Sequence, residues 1–244
     1  MRDFGKFVIF IGSLFVRRER FKTYYSLVLE ESIQIGVKST FLFILVSTFM
    51  GAVTTVQTSF NLVSPLVPRF VISQVVRDMA IYELAPTIMA IIFAGKVGSS
   101  MAGGLGTMKI TEQIDALEVM GINSASYLVL PKVIASVLMF PLLVILAGIC
   151  AISGGYLVGT LTGIVTPTEY IQGIRYAFDP YTVTFALTKS FFFALIISTV
   201  SCYKGYFTKG GALEVGIAST EAVTTSVITL LLSNYFLAEL LLNK

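Results

Sequence analysis

Five apolar segments, at about 33–62, 79–108, 133–165, 181–203 and 215–242, take up most of this chain. Each exceeds the roughly 20 residues that a helix needs to cross a bilayer. With 55% of its 244 residues hydrophobic, 13% charged and a mean hydropathy of +0.86, the chain is too apolar for a soluble domain and belongs to the helical membrane class. It contains no His and no Trp, so zinc-dependent hydrolysis and His-based acid/base or triad chemistry have no raw material. Cys150 and Cys202 lie in apolar runs without CxxC spacing and read as small packing residues.

The amino-terminal region has a different character. Phe4, Phe7, Val8, Ile11, Leu14 and Phe15 recur at three- and four-residue spacing, and Arg17, Arg18, Arg20 and Lys22 follow at once. The pattern predicts a helix lying in the membrane interface, because Met1 to Val16 is too short to span and carries Arg2, Asp3 and Lys6. Residues 1–30 therefore form an interfacial helix with a basic segment, and 31–244 the membrane domain. The basic cluster follows the apolar stretch and no small-residue cleavage site appears, so a secretory signal peptide is not expected. Little of the chain is solvated, which argues against a nucleic-acid partner.

Orientation follows from Lys and Arg. With the amino end inside, the inner segments hold twelve (Arg2, Lys6, Arg17, Arg18, Arg20, Lys22, Lys38, Lys96, Lys109, Lys132, Lys204, Lys209) against four outside (Arg69, Arg77, Arg175, Lys244). Lys189 falls within a span. This bias predicts a cytoplasmic amino terminus and a cytoplasmic connection between spans two and three.

That connection is the one strongly polar stretch inside the membrane domain. Over about 109–121, Ile110, Ile114 and Leu117 share one helical face while Lys109, Glu112 and Asp115 project elsewhere, and Gly121 is a natural stop. We read it as a docking helix for a soluble partner in preference to an idle solvated loop. Glu83 and Lys189 are ionisable groups in or beside spans, where charge is costly and usually faces a cavity, water or a partner. Glu83 either lines a substrate path or is an interfacial carboxylate that reaches water or pairs with Arg77. The small residues Gly95, Gly98, Gly103, Gly104 and Gly106, and Gly148, Gly154, Gly155 and Gly159, suit close helix packing in lipid. No GxxxxGK[ST] occurs, so the chain has no phosphate loop with which to hydrolyse ATP.

Three stretches together carry a resemblance: AGKVGSSMAGGLGTMKITEQIDALEVMG (Ala94 to Gly121), ELAP (Glu83 to Pro86) and CYKGYFTKGGALEVGIASTEAVTTS (Cys202 to Ser226). They resemble the MlaE (YrbE) family of ABC-transporter permeases, which move phospholipid between bacterial membranes. The resemblance covers essentially the whole chain beyond the interfacial helix. It implies an all-α integral membrane protein, with an N-terminal interfacial helix, five transmembrane helices and a cytoplasmic coupling helix between spans two and three.

It also implies an inner-membrane homodimer working with a cytosolic ABC ATPase that binds the ATP and Mg, and with an MCE-domain protein on the outer side. Whether a small STAS-like regulatory subunit joins is left open, and no cofactor is expected in this chain. By position, Thr111, Glu112, Gln113, Asp115 and Glu118 fall in the family's coupling helix, and Glu83 and Pro86 in its Arg-Glu-Leu-Gly-Pro pattern at the lipid pocket. The chain departs from that pattern with Tyr82 for Arg and Ala85 for Gly, and elsewhere with Gly103-Gly104 for Ala-Glu and Asn234 for Asp. On this reading lipid tails rest against Leu62, Val63, Leu66, Val75 and Met79, at a two-fold interface, with Tyr82 and Glu83 at the headgroup. The rivals are an ion-coupled secondary transporter using Glu83 and Lys189, and a membrane anchor for an outer lipid-binding protein.

Overall fold

The computed structural model describes residues 2–14, 21–62 and 67–242, and every element among them is helical. In chain order these are α1 (Arg2–Ser13), α2 (Phe21–Ser32), α3 (Lys38–Asn61), α4 (Phe70–Met79), α5 (Met89–Phe93), α6 (Ser99–Ile110), α7 (Gln113–Val119), α8 (Ser124–Leu161), α9 (Pro167–Arg175), α10 (Tyr181–Tyr206) and α11 (Ala212–Leu242). Three π-helical stretches, Ile33–Val37, Ala80–Ile88 and Ala94–Gly98, join α2 to α3, α4 to α5 and α5 to α6 without a break. Five helices are thereby long and apolar enough to cross a membrane: Lys22–Asn61, Phe70–Ile110, Ser124–Leu161, Tyr181–Tyr206 and Ala212–Leu241. The protein is an all-α, multi-pass integral membrane protein.

The boundaries differ from the sequence reading where polar residues find distant partners. The first membrane helix begins at Lys22, well before residue 33, because Tyr24 and Glu31 are satisfied within the fold. The Tyr24 hydroxyl meets Ser126 Oγ at 2.6 Å, and Glu31 pairs with Lys132. The second begins at Phe70, since Arg77, counted among the outer cations, is almost wholly buried and compensated within a helix that runs on into the span. Its guanidinium binds Asp78 at 2.7 Å, and Nη1 donates to the carbonyls of Ile174 and Tyr176 at 2.7 and 2.8 Å. The predicted 109–121 helix is shorter and separate, because Glu112 adopts a left-handed backbone (φ 61°) that ends α6 and starts α7. Arg17, Arg18, Arg20, Val63 and Leu66 lie outside the described residues.

Serines and threonines are common in these spans, and the backbone accommodates them. Ser47, Thr54, Thr55, Ser198 and Thr199 donate to the carbonyl four residues earlier at 2.6–2.9 Å, so their hydroxyls need no water.

The chain divides into two compact units, Met1–Lys38 with Ala90–Phe140 and Phe191–Lys244, and Ser39–Met89 with Pro141–Ser190. In the first, α11 packs along α6 and leaves Leu213, Ile217, Ile228, Leu232, Phe236 and Leu240 exposed, as a lipid- or protein-facing surface requires. The ring of Phe10 on α1 packs against Tyr203 and Tyr206 of α10 and Phe207 just after it, at centroid distances of 5.3–5.6 Å.

In the second unit α4 packs on α9 around Ile72, Val76, Val165 and Tyr170, with Leu62 and Ile152 against them. The Tyr170 hydroxyl donates to the Ile152 carbonyl at 3.0 Å, and burial pushes its pKa up to about 12. Close approach of α3 and α8 rests on glycine. A Cβ on Gly51 would lie 1.8 Å from the carbonyl oxygen of Ala151, and one on Gly154 2.1 Å from that of Thr48.

Candidate functional site

The second unit holds a polar centre built around a proline. Pro86 has no N–H, so the carbonyl of Tyr82, four residues earlier, loses its α-helical donor. The helix widens into the Ala80–Ile88 π-stretch at this point, a local irregularity often found where a span does chemistry or binds a ligand. Lys189 of α10 reaches this stretch. Its Nζ lies 3.2 Å from the Tyr82 carbonyl and 3.2 Å from Glu83 Oε1.

The two charged groups differ in exposure: the Lys189 side chain is 1% exposed and that of Glu83 50%. Lys189 also lies 4.6 Å from the centroid of the Phe185 ring, one turn back on its own helix, which offers the ammonium a cation–π contact. The Tyr82 ring meets Phe185 edge-on at 5.3 Å, and Thr87 Oγ1 donates to Glu83 Oε2 at 2.5 Å. The carboxylate is therefore held on one oxygen by a buried cation and on the other by a hydroxyl, with half its surface open. Such a group can bind a cationic or hydrogen-bonding ligand without being free to swing.

Beside this centre is a cavity of about 150 Å³ lined only by apolar residues, among them Ile81 and Ala85 before the proline, Gly148 and Ile149 of α8, and Val183 and Leu187 of α10. Its walls offer no hydrogen bond, so it suits hydrocarbon.

Of the residues expected to hold lipid, Tyr82 and Glu83 are brought together at the polar centre. Met79 is 51% exposed and Val75 half-buried on the preceding turns. Leu62 packs instead against the Ile72–Tyr170 cluster. Of the alternatives left open for Glu83, the fold pairs it with Lys189, while Arg77 is engaged by Asp78 and two carbonyls. Composition alone did not join Glu83 to Lys189. The available signal was Pro86 inside an apolar run, which marks a local departure from α-helical pairing beside Glu83.

The expected coupling residues fall on and just before α7, in the first unit. Ile114 is fully buried and Leu117 half-buried, so the apolar face predicted from periodicity packs inward. Thr111, Glu112, Gln113, Asp115 and Glu118 are exposed. Asp115 Oδ1 binds Lys109 Nζ at 2.5 Å across the break, and Thr111 Oγ1 donates back to the Thr107 carbonyl at 2.8 Å. Val119 and Met120 are 89% and 66% exposed, an apolar outward tip absent from the acid-centred sequence reading. Glu118 accepts hydrogen bonds from Ser124 and Tyr206, neither of which the sequence had singled out.

Comparison with known proteins agrees with this architecture. The family described as Permease MlaE matches residues 28–240. A probable ABC transporter permease protein of Rickettsia bellii is 37% identical over 239 residues, covering 98% of this chain and 92% of the relative. A probable ABC transporter permease protein of Synechocystis sp. is 34% identical over 213 residues, covering 87% and 81%. The chloroplastic protein trigalactosyldiacylglycerol 1 of Arabidopsis thaliana is 31% identical over 230 residues, covering 94% and 65%. A family match over nearly the whole membrane domain, joined to near full-length likeness to these permeases, makes the chain a member of the MlaE permease family.

Proposed function

We propose that this permease moves phospholipid as the membrane subunit of an ATP-driven transporter in a bacterial inner membrane, with its amino terminus in the cytoplasm. The observation that carries this reading is the Lys189–Glu83 pair, a charged centre within apolar helices and beside an apolar cavity. A two-tailed amphiphile needs both surfaces side by side. The name of the Arabidopsis relative is that of a galactolipid, which supports a lipid cargo.

On this reading Tyr82 and Glu83 meet the headgroup. The tails lie along Val63, Leu66, Val75 and Met79 at an interface between two copies of the chain, since five spans are few to enclose a lipid. An MCE-domain protein on the outer side passes the lipid onward. The working stroke comes from a cytosolic ABC ATPase, which binds ATP and Mg and grips the segment containing Thr111, Glu112, Gln113, Asp115 and Glu118. A rigid-body shift between two packings then exposes the pocket alternately.

The test is purification from native membranes with mass spectrometry of copurifying proteins and lipids, followed by reconstitution into liposomes. Copurified ATPase and phospholipid, with ATP-dependent lipid movement, support the reading. Lipid movement by the isolated chain without that ATPase refutes it. A second reading is favoured by the same ion pair: Glu83 and Lys189 could relay an ion in a secondary transporter. Transport driven by an ion gradient without nucleotide is its signature.

A further inference from the structure

Helix α7 is poorly suited to transmit force by its backbone alone. It has seven residues, it follows the left-handed Glu112, and it is followed by Gly121 at φ 79°. A short helix between two such turns swings unless side chains hold it. Ile114 supplies one hold by full burial.

A second hold is polar. Glu118 Oε1 lies 2.8 Å from Ser124 Oγ at the start of α8 and 3.0 Å from the Tyr206 hydroxyl at the end of α10, and the two hydroxyls are 2.7 Å apart. Two hydroxyl protons serve three close contacts, so whichever way they point, at least one lands on the carboxylate. The next residue before Ser124 extends the connection, because Asn123 Nδ2 donates to the Ser13 carbonyl of α1 at 3.0 Å. The Tyr206 ring also packs at 5.3 Å from Phe10 of that helix. Elements widely separated in sequence thus converge on Glu118, which keeps part of its surface exposed, while Val119 and Met120 are exposed without such contacts.

We propose that Glu118, Ser124 and Tyr206 form a clasp of positioning residues that makes α7 move as one body with the ends of α8 and α10 and with α1. Glu118 therefore acts within the chain, and the partner ATPase docks on the outward residues. This rests on the reading of α7 as the coupling element and adds to it the route by which a displacement of α7 reaches the membrane helices.

The experiment uses the permease with its ATPase in liposomes, measuring ATP hydrolysis and lipid moved per ATP for wild type, Tyr206→Phe, Glu118→Ala and Glu118→Gln. Tyr206→Phe keeps the ring and its packing on Phe10, so the fold is retained, as an unchanged melting temperature would verify. The ATPase is expected to copurify with every variant. Lipid moved per ATP should fall about 3- to 10-fold in Tyr206→Phe and Glu118→Ala, as expected for removal of roughly one net hydrogen bond from a two-state element. Glu118→Gln keeps an amide oxygen as acceptor and should restore most of the loss.

Wild-type stoichiometry in Tyr206→Phe overturns the clasp. Loss of ATPase copurification in Glu118→Ala but not in Tyr206→Phe makes Glu118 a docking contact and also overturns it. A wild-type complex that moves no lipid with ATP means that the coupling reading has failed, and the proposal with it. Failure of the clasp alone has a separate signature: hydrogen exchange in α7 that Tyr206→Phe leaves unchanged.

Discussion

Lys189 Nζ serves two acceptors 3.2 Å away, the Glu83 carboxylate and the Tyr82 carbonyl, both in the π-helical stretch that contains Pro86. The cation thus ties a backbone carbonyl and a carboxylate of one helix to another helix with a single group. Removing Glu83 leaves a buried ammonium without a counter-charge, held only by the Tyr82 carbonyl and the Phe185 ring, whereas removing both charges leaves no buried charge behind.

Glu83→Leu is therefore expected to destabilise the protein by about 1–3 kcal/mol, the cost of leaving a buried polar group without its partner. Glu83→Leu with Lys189→Met should cost less than the sum of the two single changes, since a broken pair is worse than an absent one. Thermal unfolding of all four proteins in one detergent measures the coupling. Additive losses would mean that the two side chains do not interact.

The glycines sort into two classes. Gly51→Ala and Gly154→Ala place a methyl group into the facing backbone of α8 and α3, 1.8 and 2.1 Å from carbonyl oxygens. Neither neighbour is a flexible side-chain end, so the helices have to separate, at about 1–3 kcal/mol each. A Cβ on Gly95 or Gly104 meets nothing within 4 Å, and alanine there should be neutral or stabilising by up to about 1 kcal/mol in melting experiments on the single protein. A partner chain packed on Gly104 would reverse that sign in the assembled transporter.

These cases also mark how far the sequence could be read. The five spans were legible because each apolar run outlasts a bilayer crossing, and Ile114 was legible as an inward residue from helical spacing alone. The ends of the spans were not. Tyr24, Glu31 and Arg77 lie outside the apolar runs and read as beyond the spans until Ser126, Lys132, Asp78 and two carbonyls come within reach. The same limit hid the polar centre, where Glu83 and Lys189 meet across a sequence separation of 106. The Gly-rich stripes announced close packing but not which glycines touch. A left-handed break at Glu112 has no residue-type signal, since glycine or asparagine is the usual occupant.

Helix α9 carries a pH-sensitive cap. Thr166 Oγ1 accepts from the Glu169 backbone N–H at 3.3 Å, and Glu169 Oε2 accepts from Thr166 N at 2.9 Å and from Thr166 Oγ1 at 2.7 Å, a capping box with Pro167 at the first helical position. The backbone N–H of Thr166, followed by its hydroxyl, holds the Glu169 carboxyl below its usual value of 4.5. A depressed folded pKa contributes stability that is complete above the unfolded value and is lost as pH falls through the folded one. Amide exchange in Pro167–Arg175 should accelerate, after correction for intrinsic rates, as pH drops below about 4.5. Glu169→Gln should abolish that pH dependence, and Thr166→Ala should cost about 1 kcal/mol at neutral pH. An identical acid profile in wild type and Glu169→Gln would rule out the cap as its source.

The backbone at Glu112 supports one more prediction, and it separates geometry from charge at the docking segment. At φ 61° this residue bears the strain of a Cβ against its own carbonyl, which glycine would not bear and a β-branched residue would bear worst. Glu112→Gly should melt within about 1 kcal/mol of wild type, because relief of strain offsets the entropy that glycine loses on folding. Glu112→Val should destabilise by about 1–3 kcal/mol as the α6–α7 break resists closing. If the carboxylate itself binds the ATPase, Glu112→Gly and Glu112→Gln both lose copurification while keeping the fold. If the left-handed turn is what presents Gln113, Val119 and Met120, Glu112→Gly keeps copurification and Glu112→Val loses it. Melting temperature and copurified ATPase, measured on the same four proteins, therefore separate the two roles of this position.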